Sequence, residues 1–216
     1  MKNLITRSLA AAALVATIGS AQAAIVLDFE GTGNITPIGD FYNGGAGTNY
    51  GISFGADALS INGPSNNEAL LPSGVNGLFF LNGSGALMNV SAGFTTGFSF
   101  YYSAPFYTGA IQVFDGLDGT GNLLASLTLP MTTNGATIPE CDNMNFCPYY
   151  AIGVAFSGTA RSVNFGGVAN QVVFDDVTIG SITAGDDGND VPEPGILSLV
   201  GLGIAGFGLS RRKRAA

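Results

Sequence analysis

Outside its two ends this chain has no apolar stripe of helical period. Its apolar residues come in short runs, several alternating with polar neighbours, separated by turns rich in glycine, of which the 216 residues hold 33. A period of two marks a strand with one buried face. Phe98, Phe100 and Tyr102 alternate with Ser99 and Tyr101 in this way. Residues 111–114 and 122–129 flank Asp115-Gly116-Leu117-Asp118-Gly119-Thr120-Gly121, which reads as a hairpin. Further strands are expected over 25–30, 50–54, 58–61, 78–81, 86–90, 149–156, 162–165 and 171–179. Residues 62–67 read as a loop by composition. About ten short strands with Gly-rich turns specify an all-β fold, an antiparallel β-sandwich of the jelly-roll kind.

Both ends carry a different signal. Lys2 and Arg7 precede an apolar core over 9–18, and Ala21-Gln22-Ala23 puts small residues where a signal peptidase reads. This is a secretory signal peptide, with the mature chain beginning at Ala24. The last residues run Val191-Pro192-Glu193-Pro194, then an uncharged apolar stretch over 195–209, then Arg211-Arg212-Lys213-Arg214. The apolar stretch can enter a bilayer, and the basic cluster stops transfer on the cytoplasmic side. It falls short of the roughly 20 residues that span a hydrocarbon core, which suits transient retention.

That Pro-Glu-Pro, apolar helix and basic tail resemble the PEP-CTERM sorting signal. The resemblance implies export, retention at the inner membrane through the tail, and processing by an exosortase-type enzyme. It also implies delivery to the outer surface or extracellular matrix of a Gram-negative bacterium that makes exopolysaccharide. The expected layout is a signal peptide over 1–23, a sandwich domain over 24–183, a linker over 184–190 and the sorting segment over 191–216.

Between Ala24 and Asp190 the chain carries fourteen acidic residues against one basic residue, Arg161, a net charge of −13. Such a surface repels nucleic acid and attracts cations, calcium first among them. There is no histidine, which removes the commonest general base. Catalysis by a His-based constellation is excluded, and the chain reads as non-catalytic. Glycoside hydrolysis is the one enzymatic alternative, with Asp28 and Glu30, or Asp175 and Asp176, as its carboxylates.

Leu27-Asp28-Phe29-Glu30-Gly31 near the start and Val173-Phe174-Asp175-Asp176-Val177 near the end are similar to the terminal strands of galactose-binding-like jelly rolls, which include many carbohydrate-binding modules. The resemblance implies a structural calcium ion joining those strands, with Glu30, Asp175 and Asp176 at the ligand positions. Adjacent aspartates on a strand point to opposite faces. An inward carboxylate needs a partner, either a metal ion or backbone N–H groups. The Asp115–Asn122 stretch lacks the spacing of an EF-hand and reads as a turn.

Cys141 and Cys147 are the only cysteines, and in an exported domain they are expected to form a disulfide. Sugar rings stack on exposed aromatic side chains. The candidates are Tyr42, Tyr50, Tyr101, Tyr102, Phe106, Tyr107, Tyr149 and Tyr150. Tyr101, opposite in phase to Phe98 and Phe100, and Phe106 with Tyr107 in the following loop, lead them. The expected role is an envelope or exopolysaccharide-matrix protein that binds carbohydrate, the alternative being a purely structural or adhesive surface protein.

Overall fold

The computed structural model describes residues 23–66 and 69–187. The expected signal helix and the apolar helix of the tail lie outside the described residues. Twelve strands follow in order: β1 (Ile25–Leu27), β2 (Thr36–Pro37), β3 (Ile52–Phe54), β4 (Leu59–Asn62), β5 (Asn76–Phe79), β6 (Gly85–Phe94), β7 (Gly97–Ser103), β8 (Gly109–Phe114), β9 (Leu123–Leu129), β10 (Tyr150–Ala155), β11 (Ala160–Gly166) and β12 (Val173–Ile179). They form two antiparallel sheets. The larger runs β10-β7-β12-β5-β4-β2, with β1 paired alongside β12; the smaller runs β3-β6-β11-β8-β9.

The core lies between the sheets. Phe98 and Phe100 of β7 and Phe174 of β12 face Phe165 of β11, with Phe165 and Phe174 ring centroids 5.0 Å apart, edge to face. All four are fully buried. Each contributes on the order of 2 kcal/mol by leaving water. The alternation in β7 therefore sorts its side chains as its sequence indicates. Ser99, on the other face, is also buried, because residues 181–183 cross it and Ser181 O accepts from Ser99 Oγ at 3.0 Å.

A second, smaller apolar cluster sits on the outer face of the larger sheet. Ile61, Phe79 and Val173 are covered there by Ala69 and Phe146. Phe146 belongs to the long connection from β9 to β10, and it bridges to Ala69. The Cys141–Cys147 disulfide closes that connection, with Cα atoms 5.6 Å apart.

Three local readings are corrected. Residues 63–66 form one helical turn, not an open loop, because Asn62 Oδ1 caps Ser65 N at 2.9 Å and Pro64 sits at its start. β1 stops at Leu27, since Phe29 takes a positive φ of 59° and turns the chain. Residues 184–187 are not a free linker. Gly185 N donates to Thr178 Oγ1 at 2.9 Å, and Ser181 Oγ donates to Asp186 Oδ2 at 2.7 Å, so the chain stays on the sheet through these residues.

Candidate functional site

The turn after β1 and the loop over 38–50 build a cleft. Tyr42 anchors the loop: it is buried, its hydroxyl accepts from Phe29 N at 2.8 Å, and the same hydroxyl lies 3.5 Å from Asp28 Oδ1. Its phenol is held well above the ordinary value, first by burial and then by the Asp28 charge. Tyr50 stacks beside it, with centroids 6.2 Å apart and planes 27° apart. Phe41 meets Tyr42 edge-on at 4.9 Å. Glycines let the loop fold this tightly. A Cβ at Gly45 would lie 2.6 Å from Asp40 O, and one at Gly47 would lie 2.3 Å from the Phe41 ring.

The resulting cleft has a volume of about 630 Å³ and is lined by Val26, Asp28, Glu30, Gly31, Phe41, Tyr42, Ala46, Gly47, Thr48 and Tyr50. It combines flat aromatic surface with two carboxylates and a hydroxyl. Tyr50 is 39% exposed and Asp28 is exposed. Such a wall can stack a ring and accept hydrogen bonds from hydroxyl groups around its rim.

Behind the cleft, the segment 73–76 ties the terminal strands together. Glu30 Oε1 accepts from Val75 N at 2.7 Å and from Asn76 N at 2.6 Å. Gly74, at φ +49°, leaves room for the Glu30 carboxyl, which a side chain there would strike. Asp175 and Asp176 converge on Ser73 instead. Asp175 Oδ2 accepts from Ser73 N at 3.1 Å, and Asp175 Oδ1 accepts from Asp176 N at 2.8 Å. Ser73 Oγ lies 3.3 Å from Asp175 Oδ2 and 2.6 Å from Asp176 Oδ1.

The expected opposite facing of the two aspartates is corrected by a bulge. Asp175 pairs with Tyr101 and Thr178 with Ser99, so β12 spends one residue more than β7 between those pairs. Asp176, at φ 47°, is the residue in left-handed conformation there. Val173 consequently lies in the outer cluster and Val177 in the main core, on opposite faces. Neither carboxylate enters the sandwich interior. Asp175 is fully buried under the outer cluster.

Burial, followed by the neighbouring Asp176, pushes the Asp175 carboxyl up to about 8. Burial also raises Asp176, with Asp28 adding to the rise. The Ser73 bonds to Asp175 work against the rise there, and burial outweighs them. Tyr149 stands beside this pair. Its hydroxyl is buried without a hydrogen-bond partner, and it is raised far above its ordinary value by burial and then by Asp175.

The donor set suits a hard cation in its chemistry, with carboxylate and hydroxyl oxygens, an orphaned phenol, and Arg161 as the one basic residue among those described. Glu30 Oε1 accepts from two amides, and no group of three or more His, Cys, Asp or Glu set to hold a metal occurs among the described residues. Asp175 and Asp176 meet on Ser73, and Glu30 is held apart from them by the Val75 and Asn76 amides.

The leading aromatic candidates fall elsewhere. Tyr101 is half-buried on the outer face of β7, opposite Asp175. Phe106 and Tyr107 are 41% and 52% exposed in the turn after β7, with Phe106 edge-on to Phe146 at 6.4 Å. None of the three lines the cleft. Of the other aromatics considered from sequence, Tyr42 and Tyr50 do. Phe41 is not among the aromatics singled out from sequence, although it forms an aromatic pair with Tyr42 inside a Gly- and Asn-rich loop. The turn 115–122 is structural: Asn122 N and Nδ2 donate to the two Asp115 carboxylate oxygens at 2.7 and 2.8 Å, which lowers the Asp115 carboxyl.

Residues 190–213 match the PEP-CTERM protein-sorting motif. The chain is thus an exported protein sorted to the cell envelope, with an exosortase as its processing enzyme. No curated protein matches the chain. Among solved structures, the K2 cleaved adhesin domain of Lys-gingipain is similar at TM-score 0.47 and 11% identity, over 73% of this chain and 99% of that one. A family 6 carbohydrate-binding module from Clostridium stercorarium is similar at TM-score 0.37 and 16% identity, over 59% of this chain and 84% of that one. The tandem family 22 modules of Paenibacillus barcinonensis Xyn10C are similar at TM-score 0.41 and 9% identity, over 83% of this chain and 50% of that one.

Proposed function

We propose that this envelope-sorted protein binds carbohydrate without catalysis, in the cleft between the turn after β1 and the loop over 38–50, and that its ligand is an exopolysaccharide of the surface matrix. The observation that carries this reading is the composition of that wall: Tyr50 and Phe41 as ring surfaces, with Asp28, Glu30 and Thr48 as hydrogen-bonding groups in one cleft. Pyranose rings offer an apolar face and a rim of hydroxyl donors, and the cleft offers the complement of each. Hydroxyl donors also tolerate a negatively charged wall, whereas an anionic ligand would be repelled.

A structural calcium ion at Asp175 and Asp176 is part of the same proposal. It would supply the positive charge that the pair lacks and would link the end of the domain to the 73–76 segment. Ser73 and Tyr149 are the hydroxyl groups at hand there.

The test is calorimetric titration of the full-length chain with exopolysaccharide from its host, and then of Tyr50→Ala. Binding that weakens at least about tenfold in the variant, the equivalent of about 1.4 kcal/mol, supports the cleft. Binding that survives Tyr50→Ala but is lost in a Phe106→Ala, Tyr107→Ala double variant moves the ligand to the turn after β7. No binding by a folded wild type leaves the structural or adhesive role.

A further inference from the structure

An Asn-Gly dipeptide can react with itself, because glycine has no side chain to screen its backbone nitrogen from the asparagine amide. The chain holds five: Asn43-Gly44, Asn62-Gly63, Asn76-Gly77, Asn82-Gly83 and Asn134-Gly135. The reaction needs an asparagine side chain free to turn, and a glycine N–H that no acceptor holds.

The fold denies these conditions to three of the five. Gly63 N donates to Val75 O at 3.1 Å, and Asn62 Oδ1 caps the helical turn that follows. Asn76 is buried, with its Nδ2 donating to Gly33 O and Ser60 Oγ. Gly135 is buried, and its N–H donates to Asn145 O at 3.1 Å. Asn43 is exposed but braced: Asn43 N and Gly45 N both donate to Asp40 O, and Asn43 Nδ2 donates to Asp40 Oδ1 at 3.2 Å.

Asn82-Gly83 stands apart. It occupies the turn from β5 to β6, whose ends are pinned. Phe80 O accepts from Asn170 N at 2.8 Å, and Ser84 O accepts from Gly167 N at 3.2 Å. Between those pins Leu81, Asn82 and Gly83 are exposed. Neither the Asn82 side chain nor the Gly83 N–H has a hydrogen bond among the described residues. There is room as well: a Cβ at Gly83 would meet nothing nearer than Asp57 Oδ2, at 3.5 Å.

We propose that Asn82 is a site of self-modification, in which water is the only reagent consumed. Gly83 N attacks Asn82 Cγ and forms the new C–N bond of a cyclic imide. The side-chain nitrogen leaves as ammonia, carrying the proton that Gly83 N gives up. Water then opens the ring. Addition at the side-chain carbonyl gives aspartate; addition at the main-chain carbonyl gives isoaspartate. No electrons are exchanged. Either product places a carboxylate where a neutral amide stood, in a turn that already faces Asp57. Isoaspartate also lengthens the main chain by one carbon between the two pinned carbonyls. The inference is independent of carbohydrate binding.

The test holds the folded full-length chain in a mildly alkaline buffer with nonionic detergent over several days. Peptide mapping by mass spectrometry follows the conversion of amide to carboxylate at each of the five asparagines, and enzymatic methylation of isoaspartate identifies the second product. Asn82 should convert at least about tenfold faster than Asn62, Asn76 and Asn134. Asn82→Gln should remove the fast phase. In denaturant the five rates should draw together, since the fold no longer holds any of them. Conversion of Asn82 no faster than at the three restrained sites overturns the proposal. So does an order of rates that is unchanged in denaturant, because the sequence alone would then set it.

Discussion

Asp175 and Asp176 are neighbours in sequence and share one hydroxyl: Ser73 Oγ lies 3.3 Å from Asp175 Oδ2 and 2.6 Å from Asp176 Oδ1. A bulge turns two side chains that regular β geometry would separate toward the same partner. The cost is a buried carboxyl pair with no basic residue in its hydrogen bonds, and that cost depends on pH.

The sign follows from the direction of the shift. The Asp175 carboxyl is raised from 3.8 to about 8 in the fold. Between those values the native state holds a proton that the unfolded chain has released, so stability falls as pH rises through this window and levels off above it. The expected loss from pH 4 to pH 8 is roughly 2–5 kcal/mol, with Asp176 acting in the same direction. Thermal melts across that range check it, and a melting temperature that rises toward pH 8 would refute it. Asp175→Asn should flatten the slope, at about 1 kcal/mol for a Ser73 amide left without its acceptor.

A calcium ion at the proposed site would compete with this proton for the same oxygens. Calcium should therefore raise the melting temperature more at pH 8 than at pH 5, and a chelator should reverse the gain. Asp176→Ala should remove the calcium effect. Equal melting curves with calcium and with chelator at pH 8 would exclude the ion from this site.

Gly47→Ala should damage the cleft without unfolding the domain. The added Cβ would lie 2.3 Å from the Phe41 ring, so the ring must move off its place between Gly31 and Gly47. Carbohydrate affinity should fall several-fold, with the melting temperature changed by only a few degrees. Unchanged affinity would show that Phe41 is no part of the binding wall.

How far the sequence reveals this fold depends on the residue. Phe98, Phe100 and Tyr102 declare β7 because alternation is local and each lands in the core. The β8–β9 hairpin is legible for the same reason: Asp115 and Asn122 close it within a few residues. The bulge at Asp176 has no local mark, since only the pairing with β7 shows that β12 carries an extra residue. The cleft was half legible. Tyr42 and Tyr50 stand out as aromatics in a polar loop, but their grouping with Asp28 and Glu30 depends on where the loop folds back. The hold on Glu30 was not legible, because its partners, the amides of Val75 and Asn76, are backbone groups that no sequence pattern announces.

Reduction of the disulfide should loosen one face only. The bridge closes a short loop, and its removal by Cys141→Ser should cost about 2 kcal/mol. The strain would fall on Phe146 and its cover over Val173, while the main core stays intact. Hydrogen exchange should show faster amides in 131–149 with β6 and β11 unchanged. Uniform loss of protection would mean that the connection is part of the global folding unit.

The place of β12 in the larger sheet bears on how the protein leaves the cell interior. The last strand of the domain lies between β7 and β5 and also pairs with β1, the first strand, setting Ile25 beside Ile179. A chain that has not yet delivered Val173–Ile179 lacks the middle of that sheet and cannot seal its core. A chain threaded across the membrane with its N-terminus first would therefore complete its larger sheet only after nearly the whole domain had emerged on the far side.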